Sequence, residues 1–182
     1  MPPPFICALL LHGLLGLADI VVNHELLAKL PARPGAAEEE GLHAAREAIF
    51  ACLFASLAWY AWHGDWVWWI GILLLAEVIV SARDVVVEGD TRVLPVSERV
   101  LHLLLFINLG VLITLAAYVA TGWHAAPAGL ARVDYGWASW ILSALALGAA
   151  AWACATPARR CAWPGMAWHK AGRLHRPATI GS

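Results

Sequence analysis

Apolar runs long enough to cross a lipid bilayer dominate this sequence of 182 residues. A transmembrane helix needs about 20 mostly apolar residues, and the chain supplies such a run five times, at 5–22, 42–62, 66–87, 100–121 and 135–156. The composition agrees, since 61% of the residues are hydrophobic and 14% are charged. Membrane-spanning strands would alternate apolar and polar residues, and these runs do not. We therefore predict an all-α polytopic membrane protein with about five transmembrane helices.

Positive charge falls almost entirely on one side of the predicted membrane. With five spans, the N-terminus and the links 63–65 and 122–134 share one side, whereas the links 23–41 and 88–99 and the residues after 156 share the other. Of the twelve lysines and arginines, only Arg132 lies on the first side. Because these residues concentrate on the cytoplasmic side, we predict an outside N-terminus and a cytoplasmic C-terminus. The chain would thus comprise a membrane bundle, 1–156, and a basic cytoplasmic tail, 157–182.

Local patterns add three expectations about the links. The short stretch AWHGDWVWW predicts that the second and third helices form an antiparallel hairpin. The stretch PARPGAAEEE, rich in proline, glycine and glutamate, predicts an exposed link before the second helix. Ser97, which follows Pro95, is predicted to cap the start of the fourth helix.

Ionisable side chains collect at the cytoplasmic ends of four predicted helices. The stretch RDVVVEGDTRVLPVSERVLH, residues 83–102, carries seven formal charges and one histidine between two apolar runs. The residues concerned are Asp19, Asn23 and His24 of the first helix, His43 and Glu47 of the second, Glu77, Asp84 and Glu88 of the third, and Glu98 and His102 of the fourth. Hydropathy alone does not require these residues to converge. Their convergence predicts a four-helix bundle around one polar site.

Spacing and residue type indicate that this polar site binds metal. His43 and Glu47 are four residues apart, as are Glu98 and His102, so each pair shares a helix face. Dinuclear iron or manganese bundles take carboxylates and imidazoles from four helices, commonly through Glu-x-x-His motifs; here the spacing is four rather than three. The expected ligands are His43, Glu47, Glu77, Asp84, Glu88, Glu98 and His102. We expect Asp19, Asn23 and His24 to be additional ligands or to hydrogen-bond to ligands.

Other interpretations of the same residues stay open. Arg46, Arg83, Arg92 and Arg99 lie beside the acids, so ion pairs could satisfy several carboxylates without a metal. A haem held between His43 and His102 is an alternative, although a cluster of acids favours a hard cation. Glu77 lies about ten residues inside its span, and so does Asp19 if the first helix continues to Leu30; an ionised acid at that depth costs at least a few kcal/mol and normally marks a functional site.

The leading functional hypothesis is a membrane oxidoreductase with a di-iron or dimanganese centre that acts on a lipid or quinone-like substrate. The first alternative is a transporter of protons or divalent cations that uses the same acids as a relay. The second is a non-catalytic subunit of a larger membrane complex. No nucleotide-binding or nucleic-acid-binding motif occurs, so the expected partners are the bilayer, a hydrophobic small molecule or other membrane subunits.

Three stretches carry a resemblance, namely DIVVNHELLAKLP, GLHAAREAIF and DVVVEGDTRVLPVSERVLH. There the chain resembles a family of uncharacterised bacterial polytopic membrane proteins, over roughly residues 10–150. The resemblance implies a multi-pass protein of the bacterial inner membrane and implies no activity or ligand. In ligand types, though not in sequence, the chain is also similar to membrane-bound di-iron carboxylate oxidases.

Overall fold

Five α-helices and one small β-ribbon are the main elements of the part of the chain that the structure describes. The computed structural model describes residues 1–27, 37–91 and 93–162, and for 24–27 and 157–162 it describes the backbone only. The elements in chain order are α1 (Pro4–Asp19), a π-helical segment (Ile20–Leu27), α2 (Ala37–Ala58), β1 (Tyr60–His63), a 3₁₀ turn (Gly64–Val67), α3 (Trp68–Thr91), α4 (Val96–His124), β2 (Gly129–Arg132) and α5 (Trp137–Ala162). The predicted helical fold class is confirmed.

Four of the five helices are long and apolar enough to cross a membrane. They cover Pro4–Asn23, Ala37–Ala58, Val96–His124 and Trp137–Thr156. The helix α3 has 24 residues, but every stretch of 18 residues within it contains Glu77, Arg83 and Asp84, whereas each of the other four has a stretch of this length with at most two charged residues. The described helices therefore support four of the five predicted spans by length and composition.

A two-stranded ribbon joins the link that follows α2 to the link that follows α4. Strand β1 pairs antiparallel with β2, with Tyr60 opposite Arg132 and His63 opposite Gly129. The two links therefore lie at the same end of the helices, as the alternation of five spans predicts; we call this the ribbon end. The ribbon also corrects the predicted second span, because the helix stops at Ala58 and residues 60–63 are extended rather than helical.

Gly64 makes the turn after β1 possible. Its φ is 60°, a left-handed conformation that glycine adopts without a steric penalty. A β-carbon at this position would lie 2.7 Å from the Cα of Ala128, so the backbone of the second link occupies the space that a side chain would need.

The apolar core lies between α1, α2 and α5, with α3 and α4 on its flanks. Helix α2 packs along α5 and α3, and α1 packs along α4. Buried Leu9, Phe54 and Leu142 form part of this core. The helix α5 contributes small buried residues, including Ala138 and Ala146, which let its backbone approach α2 closely. The helix α5 thus contributes to the core mainly through packing.

Two predicted boundaries are wrong. Residues 37–40 form the first turn of α2 rather than part of an exposed link, and Glu39 is 2% exposed there. The helix α4 begins at Val96, with Pro95 in the N-cap position, so Ser97 is already inside the helix and does not cap it. The predicted tail beyond residue 162 and the loop 28–36 lie outside the described residues.

Candidate metal centre

Four helices bring carboxylates and imidazoles together at the end opposite the ribbon. Helices α1, α2, α3 and α4 each contribute side chains to this region. The polar atoms of these side chains lie close enough to one another to form ion pairs or to bind a common metal ion. We call this set the carboxylate cluster; it comprises Asp19, His43, Asp84, Glu88, Glu98 and His102. Its four acids are 0–3% exposed, and the side chain of His102, the most accessible of the six, is 11% exposed.

Helix geometry explains how α3 and α4 supply two cluster residues each. Asp84 and Glu88 are four residues apart near the end of α3, and Glu98 and His102 are four apart near the start of α4. Residues at this spacing lie on one helix face, one turn apart. Because α3 ends at Thr91 and α4 begins at Val96, the short connection holds the two faces close together.

Glu88 stands between the two histidines of the cluster. Its Oε1 lies 3.7 Å from Nε2 of His43, and its Oε2 lies 3.4 Å from Nδ1 of His102. One carboxylate thus presents one oxygen to each imidazole. This is the arrangement that a carboxylate bridging two metal ions requires, with one histidine on each ion.

Two groups of potential ligand atoms share Glu88. The first contains His43, Asp84 and Glu88, and the second contains Glu88, Glu98 and His102; within each group the ligand atoms lie within 4.8 Å of one another. Asp19 adds a fourth carboxylate, since its Oδ2 is 3.3 Å from Nε2 of His102. Four carboxylates and two imidazoles are the donor set of di-iron and dimanganese carboxylate bundles, so these residues fit such a centre in number and in kind.

The orientation of His43 suits metal binding. Its Nδ1–H donates a hydrogen bond to the backbone carbonyl oxygen of Glu39, at 2.9 Å. Because a carbonyl oxygen can only accept, this bond places a proton on Nδ1, so that in the neutral imidazole the lone pair is on Nε2. That nitrogen faces Asp84 Oδ2 at 3.4 Å, in the interior of the cluster.

A second set of hydrogen bonds holds Asp19 in place. Asn23 Nδ2 donates to Asp19 Oδ1 at 2.6 Å, and the hydroxyl of Ser97 donates to Asn23 Oδ1 at 2.9 Å. Asn23 belongs to the π-helical segment and is 0% exposed. Single π-turns inside α-helices frequently occur at functional sites. Here the hydrogen bonds of Asn23 connect Asp19, at the end of α1, with Ser97, near the start of α4.

Arg46 connects the cluster to a deeper acid on α3. Its Nε donates to Glu77 Oε1 at 3.3 Å and its Nη1 donates to Asp84 Oδ2 at 3.2 Å. The hydroxyl of Ser81 also donates to Glu77 Oε1, at 2.7 Å. Glu77 is 0% exposed, so this arginine and this serine provide the polar partners that a buried carboxylate needs.

Two predicted ligands, Glu47 and Glu77, do not join the two ligand groups that the described residues form. Glu77 contacts Arg46 and Ser81 instead, and Glu47 is half-buried on α2; neither occurs in a metal-ligand group formed by the described residues. The side chain of His24 lies outside the described residues. Asn23 and Asp19 take the positions expected of residues that hold or supplement the ligands.

Sequence reasoning missed three contributors to the site. Glu39 supplies the carbonyl that orients His43, Ser97 binds Asn23, and Ser81 binds Glu77. Arg46 pairs with acids, as one interpretation of the sequence expects, and it joins two of them. The four-residue spacing from Glu39 to His43 and from Glu77 to Ser81 was available in the sequence. The contact between Ser97 and Asn23 spans 74 positions, so no local pattern could have indicated it.

Comparison with known proteins gives no further guide to the site. No protein-family model, no curated protein and no solved structure matches the chain.

Proposed function

We propose that the protein is an integral membrane metalloprotein whose carboxylate cluster binds two ions of iron or manganese. In this proposal all five helices cross the bacterial inner membrane, and the cluster lies near the cytoplasmic face. The bound pair would supply redox chemistry toward a lipid or quinone-like substrate, which makes the protein an oxidoreductase. The observation that carries the proposal is the position of Glu88, whose two oxygens face one histidine each.

The donor set favours a hard divalent cation over haem. Asp84, Glu88 and Glu98 are all buried within the two ligand groups, and carboxylate oxygens suit ions such as Mn²⁺ and Fe²⁺, which also accept imidazole. Metal ions held by a shared carboxylate typically lie about 3.5–4 Å apart. Small side-chain movements would suffice to bring ligand atoms that are now within 4.8 Å of one another into coordination.

The chain itself would contribute positioning and charge balance. The carbonyl of Glu39 keeps Nε2 of His43 available for a metal, and Asn23 fixes the carboxylate of Asp19 beside His102. Arg46 compensates part of the negative charge of the acids on α3. Buried carboxylates need such partners because desolvation strongly disfavours an isolated charge.

A transport function finds less support. A relay across the membrane would need polar groups that continue from the cluster to the ribbon end. Buried Asn108 and His12 contact each other at 3.3 Å and extend the polar residues part of the way. Beyond them lies a mainly apolar cavity, and its lining includes Leu9 of α1 and Leu112 of α4.

Metal analysis of the purified protein tests the proposal. We expect about two iron or manganese ions per chain, the number a dinuclear carboxylate site holds, and an optical spectrum without a Soret band. Glu88→Gln removes one of the two bridging oxygens and should cost most of the bound metal. The matched control is Glu38→Gln, because the side chain of Glu38 is 59% exposed and pairs with Arg83 on the surface.

Several results would contradict the proposal. A Soret band would indicate haem instead. A wild-type protein that binds no metal, even when purified from metal-supplemented cells, would contradict the proposal, and a loss of stability in Glu77→Gln and His102→Ala would then indicate a purely structural polar network. Equal metal loss in Glu88→Gln and Glu38→Gln would place the metal elsewhere.

A further inference from the structure

A cavity of about 530 Å³ lies between α3 and α4 at the ribbon end. Its volume falls within the range of about 300–1,000 Å³ that is usual for small-molecule sites. Over the described residues α3 and α4 make few contacts with each other, whereas each packs on another helix. The cavity occupies the space between these two helices. It lies at the end of the molecule opposite the carboxylate cluster.

The interior of the cavity is apolar. Leu9 and Leu53, from α1 and α2, and Leu74 and Leu112, from α3 and α4, line it and are 0–7% exposed. On its open side it is lined by Leu75, which is 62% exposed. The cavity is therefore a pocket open to the outside of the bundle, where the acyl chains of a bilayer would lie.

The rim at the ribbon end is aromatic and weakly polar. Trp68, Trp123, Thr121 and His124 line this end, and the rings of Trp68 and His124 contact each other with centroids 6.1 Å apart. Tryptophan favours the boundary between hydrocarbon and headgroups. Among the described residues, the lining contains neither lysine nor arginine, so neither of these cationic side chains is available there to pair with a phosphate group.

The depth of the cavity matches one leaflet. On α4 its lining extends from His124 to Leu112, and at 1.5 Å per residue this is about 18 Å. The hydrocarbon core of a bilayer is about 30 Å thick, so one leaflet contributes about half of that. A chain that entered at the aromatic rim would reach the floor of the cavity near the middle of the membrane.

We propose that this cavity binds one acyl chain of a phospholipid from the leaflet at the ribbon end. The apolar floor and walls take the chain, and the aromatic rim lies at the level of the ester groups. The phosphate stays outside the cavity, in the headgroup layer, because the described lining offers neither lysine nor arginine to bind it. This inference does not rest on the metal proposal, because the cavity and the carboxylate cluster share no lining residue.

Photocrosslinking tests the site. The full-length protein is reconstituted into phosphatidylcholine vesicles that contain a small fraction of phosphatidylcholine with a diazirine at the end of one acyl chain, and crosslinked peptides are mapped by mass spectrometry. We expect crosslinks to concentrate in 68–78 and 112–124 relative to the exposed face of α5. The double variant Ala116→Phe, Ala120→Phe fills the cavity and should reduce them to the level found on α5.

Two further variants make the test specific. Ala150→Phe introduces the same ring on the exposed face of α5, outside the cavity, and should leave the crosslinks unchanged. Gly71→Leu narrows the cavity, and a β-carbon there meets only Trp68 at 3.8 Å; this variant is used if the double variant fails to fold. Glu88→Gln should label as the wild type does, which separates this proposal from the metal proposal.

Three outcomes would overturn the inference. The first is labelling of α5 as strong as that of the cavity, or labelling unaffected by the filling variants. The second is crosslinks from these residues to a second copy of the chain, which would mean that a protein interface covers the cavity. The third is loss of the lipid crosslinks when an isoprenoid quinone is added at a few mole per cent, which would identify a neutral quinone as the occupant.

Discussion

Arg46 compensates two carboxylates that lie two turns apart on α3. It contacts Glu77 and Asp84 at 3.3 and 3.2 Å, and its own side chain is 14% exposed. Of the arginines and lysines in the described part of the chain, it alone is not exposed. Removing one partner of a buried ion pair leaves an uncompensated charge in a medium of low polarity, which is costly.

We therefore predict that Arg46→Met destabilises the protein by about 3–5 kcal/mol, the usual cost of breaking a buried pair. Methionine keeps much of the volume of the side chain and removes its charge. The measurement is the unfolding transition of the purified protein in detergent, followed by circular dichroism.

The control is Arg83→Met, a change of the same chemistry at an exposed pair. Arg83 and Glu38 contact each other, and their side chains are 56% and 59% exposed. Such pairs contribute at most about 1 kcal/mol. Similar small effects in both variants would show that Arg46 does not compensate the buried acids.

At the scale of elements, Gly13 sets how closely α1 approaches its neighbours. A β-carbon at Gly13 would lie 2.8 Å from Cδ1 of Leu145 and 2.9 Å from Cζ of Phe54. Three residues further along the same helix, Gly16 has no neighbour within 4 Å of such a β-carbon. At Gly13, α1 is thus packed against α2 and α5 without room for a side chain, whereas one turn further along the helix, at Gly16, the space is open.

We predict that Gly13→Leu destabilises the protein by about 1–3 kcal/mol, the typical cost of overpacking a well-packed core. Gly16→Leu should be neutral or slightly stabilising, because leucine favours a helix more than glycine does. Thermal unfolding in the same detergent measures both. An effect of equal size at the two positions would mean that helix propensity, rather than close packing, determines the result.

The π-helical segment shows how an element can change a site. Helix α1 ends at Asp19 and continues as a π-helix over Ile20–Leu27. The wider turn shifts later side chains around the axis relative to an α-helix. Asn23 nevertheless reaches Asp19 on one side and Ser97 on the other, so this segment connects the cluster to α4.

At the scale of the whole molecule, the fold separates two ends of different chemistry. One end holds the β-ribbon, an aromatic rim and an apolar cavity. The other holds the carboxylate cluster and the short connection from α3 to α4. If the helices cross a membrane with the predicted orientation, the ribbon end faces outward and the cluster faces the cytoplasm.

Cysteine labelling checks this orientation. In a variant without the four native cysteines, a cysteine replaces Asp65 at the ribbon end or Val93 between α3 and α4. These side chains are highly exposed, since the side chain of Asp65 is 91% exposed and Val93 is 96% exposed. A membrane-impermeant maleimide added to intact cells should label Asp65→Cys and should label Val93→Cys only after lysis. The reverse pattern would invert the topology.

The sequence by itself determined the helical class and the number of long helices. Each helix of a membrane protein must satisfy its own backbone hydrogen bonds, so a run of about 20 apolar residues specifies a span locally. The four-residue spacings within 84–88 and 98–102 likewise placed acids and imidazoles on single helix faces. These properties depend on neighbours in the chain, and they could be predicted without knowledge of the packing.

Only the tertiary structure decided which side chains meet. The rotation of one helix against another is set by side-chain packing, for example at Gly13 and at the small residues of α5. That rotation turns Glu77 toward Arg46 and places Glu88 between two histidines. The strand at 60–63 was also missed, because its hydrogen bonds go to residues about 70 positions away. Contacts between distant residues leave no periodic trace in a single sequence, and for this reason the pairing within the cluster could not be predicted from it.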